Sequence, residues 1–132
     1  KTINMNTQNK TILILEDEKP LSDAIKYKFE VEGFNAITAK SVNQAFQYLK
    51  KGIKIDAVWL DHYIYGFKNG LDFVAQIKKG KSEWKNIPIF VISNTVSPEK
   101  VQKYLQLGIE KFYTKVDFRL DKIIMDIKES LK

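Results

Sequence analysis

The sequence predicts one α/β domain in which helices cover both faces of a parallel sheet. Short, continuous apolar segments alternate five times along the chain with segments whose apolar residues recur at helical spacing. No linker, repeat or low-complexity tract interrupts this alternation. The 132 residues are enough for one domain with a sizeable core.

The first strand is predicted over residues 11–15, directly before a cluster of acidic residues. Pro20 follows at a position that the first turn of a helix tolerates, because its missing N–H would be unpaired there. Gly33 is predicted to end this helix. The apolar face of the helix is predicted to consist of Leu21, Ile25, Phe29 and Val31.

The second and third strands are predicted over 34–39 and 57–60. Between them, Ser41 and Gln44 have the spacing of a capping box, which starts a second helix that ends at Gly52. The third strand runs directly into Asp61.

A third helix, with apolar residues from Leu71 to Ile77, is predicted to end at about Gly80. A fourth strand is predicted over 87–92. Pro88 lies at its start, where a missing ladder donor is tolerated.

The last elements complete the alternation. Ser97 and Pro98 are suited to the N-cap and first position of a fourth helix, which Gly108 ends. A fifth strand is predicted over 111–114. A last amphipathic helix follows, with an apolar stripe made of Leu120, Ile123, Ile124, Ile127 and Leu131.

The composition excludes several classes of protein. The chain has no cysteine, which rules out disulfides, thiolate catalysis and cysteine-bound zinc and is compatible with the reducing cytoplasm in which we expect it. No apolar run approaches the roughly 20 residues that cross a bilayer. The polar residues 1–9 lack the hydrophobic region of a signal peptide, so we expect a disordered leader before a domain over 10–132.

The net charge of +6 comes from 22 basic and 16 acidic residues. The lysines are spread over the chain and Arg119 is the only arginine, which favours a solvated lysine-rich surface over a binding stripe. We therefore expect no direct nucleic-acid or membrane partner, and such contact remains a minor alternative.

Polar residues stand where four of the predicted strands end. In an open α/β sheet, ligands bind beyond the carboxyl ends of the strands. Carboxylates without histidine or thiolate suit a hard ion such as Mg²⁺, and a carboxylate is also a possible nucleophile towards phosphorus. Singly, each residue has a plainer interpretation as a cap, a turn or a surface residue. The set comprises Glu16, Asp17, Glu18, Asp61, Ser93, Asn94, Thr114 and Lys115.

Five segments, in order, resemble the receiver domain of two-component response regulators, and the resemblance covers Lys10 to Lys132. It implies a single-domain, doubly wound (βα)5 fold of the flavodoxin-like class, with a five-stranded parallel sheet in the order 2-1-3-4-5. The segments are Ile12-Leu-Ile-Leu-Glu-Asp-Glu18, Asp56-Ala-Val-Trp-Leu-Asp61, Asn69-Gly-Leu-Asp72, Pro88-Ile-Phe-Val-Ile-Ser93 and Phe112-Tyr-Thr-Lys115.

The resemblance implies a metal site and a phosphoacceptor. Asp61 matches the aspartate that takes the phosphoryl group, and Glu16 and Asp17 match the acidic pair that helps hold Mg²⁺. The residue two positions beyond the acceptor, here Tyr63, supplies its backbone carbonyl to the metal in this family.

The resemblance also implies a switch and its partners. Ser93 matches the switch hydroxyl, Lys115 the lysine that pairs with the phosphoryl group, and Phe112 the switch aromatic. The expected partners are a histidine kinase or phosphotransfer protein and a downstream protein target. A receiver catalyses only its own phosphorylation and dephosphorylation. It is expected as a monomer or as a weak homodimer through its fourth helix, fifth strand and last helix.

Four positions depart from the family pattern. Glu16 stands where many members have aspartate, Val116 where proline usually follows the lysine, and Asn94 where a smaller residue is usual. Tyr63 is bulky at a position that influences attack by water. The departures at Glu16, Asn94 and Val116 keep open a pseudo-receiver that binds partners without phosphorylation.

Two other hypotheses are disfavoured. A hydrolase resembling the haloacid dehalogenases would have a second aspartate two residues beyond the first, where this chain has Tyr63. A phosphohistidine role for His62 is disfavoured because consecutive strand residues point to opposite faces. A packing or surface role is expected for this histidine.

Overall fold

The computed structural model of the chain describes residues 10–64, 69–94, 97–115 and 118–132. The expected leader over residues 1–9 and the departure at position 116 lie outside them. The described residues form five strands and six helices: β1 Thr11–Leu15, α1 Lys19–Val31, β2 Asn35–Ala39, α2 Val42–Lys50, β3 Ala57–Asp61, α3 Gly70–Lys79, α4 Ser82–Lys85, β4 Ile89–Ser93, α5 Pro98–Leu107, β5 Lys111–Thr114 and α6 Leu120–Ser130.

The five strands form one parallel sheet in the order β2-β1-β3-β4-β5, which confirms the expected topology. In its centre, Leu60 of β3 pairs with Leu15 of β1, and Asp61 pairs with Ile92 of β4. This register brings the carboxyl ends of β1, β3 and β4 to one edge of the sheet. Polar residues that follow these strands therefore start from neighbouring positions.

The core consists of two layers, one on each face of the sheet. Successive residues of β1 pack into different layers, with Leu13 in one and Ile14 in the other. All five residues of β3 and of β4 are buried, as expected for strands that helices cover on both faces. Within the part of the chain that the structure describes, no helix has the length and apolarity needed to span a bilayer.

Several strand ends differ by one residue from the prediction, since β2 begins at Asn35, β3 ends at Asp61 and β4 ends at Ser93. Three larger differences are found. A short helix, α4, precedes β4. Its single turn is too short for an apolar periodicity to show in the sequence, although Trp84 packs against Phe46 with ring centroids 5.9 Å apart. β4 begins at Ile89 and not at residue 87, after the proline that cannot donate to the ladder. Val31 is 63% exposed because it lies two residues beyond buried Phe29, and such positions do not share a helix face.

Two helix N-termini show how the capping patterns are used. The Ser41 hydroxyl accepts from the Gln44 N–H as predicted (3.1 Å), but the Gln44 side chain bonds the N–H of Lys40, so the predicted box is half formed. A complete and unpredicted capping box starts α3. The Asn69 side chain accepts from the Asp72 N–H (3.2 Å), and Asp72 accepts in return from the Asn69 N–H (2.9 Å).

Replacement of this cap is expected to destabilise the domain. Asn69→Ala removes the acceptor for an N–H in the first turn of α3 and should lower the free energy of unfolding by about 1 kcal/mol. Asn43→Ala makes the same chemical change on the exposed face of α2 and should alter it by less than about 0.5 kcal/mol. Urea denaturation of both variants measures the difference, and equal effects would contradict the capping role.

Candidate functional site

Asp61 is the last residue of β3, the central strand of the sheet, and is 7% exposed. Its Oδ1 accepts from the backbone N–H of Tyr63 at 3.1 Å. Its Oδ2 lies 3.5 Å from the ammonium nitrogen of Lys115. The carboxylate is therefore oriented by a backbone donor on one oxygen and a cation on the other, while a small part of it remains accessible.

Glu16 directly follows β1 and is buried, at 2% exposure. Its backbone N–H donates to Ala39 of β2, and its Oε2 accepts from the backbone N–H of Glu18 at 3.1 Å. Its Oε1 is buried without a hydrogen bond from any described residue and lies 3.7 Å from the Lys115 ammonium. The side chain thus brings an unsatisfied carboxylate oxygen to the edge where Asp61 lies.

Lys115 follows β5 and reaches across to both acids. Its backbone N–H donates to the carbonyl of Ser93 at 2.8 Å, which extends the pairing of β5 with β4 by one residue. Its ammonium faces Asp61 and Glu16 at 3.5 and 3.7 Å, longer than the roughly 2.7–2.9 Å of a direct charge-assisted hydrogen bond. One cation therefore faces two carboxyl groups.

The electrostatics of the site show in the Glu16 carboxyl. Burial raises the pKa of Glu16 to about 7, and the neighbouring Asp61 charge adds to the rise. The Glu18 N–H and the Lys115 ammonium lower this pKa only in part. Near neutrality the carboxyl pair therefore retains a proton for part of the time, and a cation bound beside it would favour its ionised form.

Ser93, the last residue of β4, is fully buried, and its hydroxyl has no hydrogen-bond partner among the described residues. Its carbonyl is already used by Lys115, so the hydroxyl is the free polar group of this residue at the strand end. Asn94, which stands where the family usually has a smaller residue, is exposed.

The donor set fits a divalent cation. Two carboxylates, one with a buried orphan oxygen and a raised pKa, are suited to Mg²⁺, which commonly binds one or two protein carboxylates and keeps several waters. Asp17 is half-buried beside Glu16, and the Tyr63 side chain is 55% exposed. No group of three His, Cys, Asp or Glu residues converges as a complete metal cage in the described ranges.

His62 and Tyr104 form a buried pair beside Asp61 that the sequence did not predict. His62 is 2% exposed, which confirms its packing role, and its Nδ1 lies 2.5 Å from the Tyr104 hydroxyl of α5. Burial and the Lys100 charge on α5 lower the pKa of His62, and the Asp61 charge offsets this only in part, which favours the neutral ring. The two residues are 42 positions apart, and helical spacing shows Tyr104 only as part of an apolar stripe.

Comparison with known proteins identifies the class. Residues 12–128 match the family described as the response regulator receiver domain, and the chain belongs to this family. Its five-stranded sheet and helical layers are the flavodoxin-like fold of that family.

Three particular proteins illustrate the similarity. The transcriptional regulatory protein YvrH of Bacillus subtilis (strain 168) is 30% identical over 109 residues, which are 82% of this chain and 44% of that protein. A response regulator receiver protein from Pseudomonas putida superposes with a TM-score of 0.83 at 22% identity, covering 93% of this chain and 98% of that one. The Mn(2+)-bound form of response regulator Rcp1 superposes with a TM-score of 0.79 at 22% identity, covering 93% and 95%. The chain thus spans less than half the length of YvrH.

Because the pKa of Glu16 is raised in the folded chain, we expect the free energy of unfolding to decrease as the pH rises. Between its ordinary pKa of 4.5 and about 7, folded Glu16 holds a proton that the unfolded chain releases, so stability falls as pH rises through this window. Glu16→Gln removes this loss. In metal-free buffer the variant should gain on the order of 2 kcal/mol over the native chain at pH 8, and little at pH 4.5.

Chemical denaturation at the two pH values measures this effect. Glu18→Gln, at an exposed position two residues away, is the matched control and should show no pH-dependent gain. A constant difference between Glu16→Gln and the native chain at both pH values would contradict the assigned cause.

Proposed function

We propose that this receiver domain takes a phosphoryl group onto Asp61 from a phosphohistidine of a histidine kinase or phosphotransfer protein. The observation that supports this function is the convergence of Asp61 with the Lys115 ammonium and with a second carboxyl, that of Glu16, whose pKa is raised. Such a site favours the binding of a phosphoryl group together with a metal cation that supplies additional positive charge.

In the proposed step, a carboxylate oxygen of Asp61 attacks phosphorus. The new O–P bond forms as the N–P bond of phosphohistidine breaks, and the bonding electron pair returns to the imidazole of the donor, which takes a proton from solvent. Lys115 pairs with the phosphoryl oxygens, since its ammonium already lies beside the Asp61 carboxylate that receives the group. The free hydroxyl of Ser93 donates to one of those oxygens. The chain catalyses only its own phosphorylation and dephosphorylation.

We assign Mg²⁺ to the same edge of the sheet, held by Glu16, Asp17, Asp61 and the backbone carbonyl of Tyr63. When bound, the ion neutralises the crowded carboxylates and the incoming phosphoryl oxygens. The buried orphan oxygen of Glu16 supports this assignment. The Mn(2+) named for Rcp1 is consistent with a divalent ion in this class of site.

The output of the proposed switch is the surface formed by α5, β5 and α6. Phosphorylation draws the Ser93 hydroxyl towards Asp61, and half-buried Phe112 on β5 repacks in response. Phe112 already packs against Tyr104 of α5, with ring centroids 5.9 Å apart, so its movement is transmitted to that helix. This surface binds the downstream protein target, and the domain acts as a monomer or as a weak homodimer through the same face.

Phosphorylation of Asp61 is tested by intact-mass measurement. Incubation with Mg²⁺ and acetyl phosphate or phosphoramidate should add the mass of one phosphoryl group, and Asp61→Asn should abolish the addition because an amide is a poor nucleophile. Asp23→Asn makes the same change at an exposed position of α1 and should leave the addition intact. An unmodified mass with both donors would contradict the proposal and favour the pseudo-receiver, whose partner binding would be indifferent to Asp61→Asn.

The switch is tested by amide hydrogen exchange. Phosphorylation should change the exchange of α5, β5 and α6 while leaving α2, which packs on β1 and β2 at the far end of the strand order, unaltered. Ser93→Ala should reduce the change at these elements, because it removes the hydroxyl that responds to the phosphoryl group. A phosphorylated protein whose exchange is unchanged throughout would refute the switch while leaving phosphotransfer intact.

A further inference from the structure

The hydrogen bond between His62 and Tyr104 joins the residue after Asp61 to the middle of α5. Both side chains are buried, Tyr104 completely, and their rings meet edge to face with centroids 5.5 Å apart. The Nδ1–Oη distance of 2.5 Å makes this a direct contact between the two elements. It starts from His62, directly after β3, whereas the switch positions Ser93 and Phe112 lie on β4 and β5.

The packing around this pair leaves little room for Tyr104 to move alone. Gly70, the first residue of α3, donates its N–H to the His62 carbonyl at 3.3 Å. A Cβ atom at Gly70 would overlap the Tyr104 hydroxyl and lie 3.2 Å from the His62 Cα. The Tyr104 hydroxyl thus packs where the chain leaves β3 and where it enters α3.

Any rearrangement next to Asp61 therefore has a consequence in α5. If His62 shifts, Tyr104 either follows it or loses its buried hydrogen bond, and an unpaired buried polar group is costly. If Tyr104 follows, it moves the helix and its aromatic neighbour Phe112. Two packed arrangements are then favoured over a continuum of intermediates.

We propose that Tyr104 is a positioning residue that, through its hydrogen bond to His62, couples the phosphorylation state of Asp61 to the position of α5. The inference rests on the proposed function, since it assigns a regulatory contact to the same site. Because coupling is reciprocal, a partner that holds α5 in its phosphorylated position also favours phosphorylation of Asp61.

Tyr104→Phe tests the proposal because it removes the hydroxyl and keeps the ring. Tyr48→Phe is the matched control, since its hydroxyl donates to the Thr38 carbonyl at 3.1 Å at the β2 edge of the sheet. The native chain and both variants are incubated with phosphoramidate and Mg²⁺ to completion, and intact mass and amide exchange of α5 are measured before and after.

The native chain and Tyr48→Phe should gain the phosphoryl mass and show the same phosphorylation-dependent change in α5 exchange. Tyr104→Phe should gain the mass while its change in α5 exchange falls about fivefold or more, as for the loss of a typical coupling between linked sites. A merely structural role would alter α5 exchange equally before and after phosphorylation, and so would preserve the difference that is measured.

A second variant keeps the hydroxyl but displaces it. Gly70→Ala places a methyl group against the Tyr104 hydroxyl and should reduce the same difference. A phosphorylated Tyr104→Phe with a native change in α5 exchange would overturn the coupling role and leave the proposed function standing. A native chain that takes no phosphoryl group would overturn both.

Discussion

The unequal charge at the end of the central strand is the constraint on which the rest of the site depends. Two buried carboxyl groups, Asp61 and Glu16, share one ammonium group, that of Lys115. Burial makes their repulsion expensive to leave uncompensated, as the raised pKa of Glu16 shows. The site thus favours the binding of a further cation. Under the proposed function this cation is Mg²⁺, which binds beside the phosphoryl group.

The sheet supplies the rigidity that this arrangement requires. Asp61 and Ser93 end strands whose residues are all buried, and Lys115 is tied by its backbone to the Ser93 carbonyl. Backbone pairing therefore sets the positions from which the polar side chains start. The hydrogen bond between His62 and Tyr104 joins this edge of the sheet to α5, the helix that responds to Asp61 under the proposed coupling.

Much of the fold and part of the site followed from the sequence. Continuous apolar strands alternating with amphipathic helices indicated a parallel sheet, and the polar residues after the strands indicated which edge holds the site. The errors lie where local pattern is weak: one helical turn at α4, the start of β4 after a proline, and the exposure of Val31 at the end of α1. A single helical turn is too short to show an apolar periodicity. The exposure of the last residue of a helix depends on which tertiary contacts it makes.

By itself the sequence determined where the strands end and which polar residues follow them, because a continuous apolar run is a local property of the chain. Only the tertiary structure decided that Glu16 is buried with an unsatisfied oxygen, and that His62 meets Tyr104. Burial and long-range hydrogen bonds depend on how separate elements pack. A residue pair 42 positions apart leaves no periodic trace in the chain from which its contact could be read.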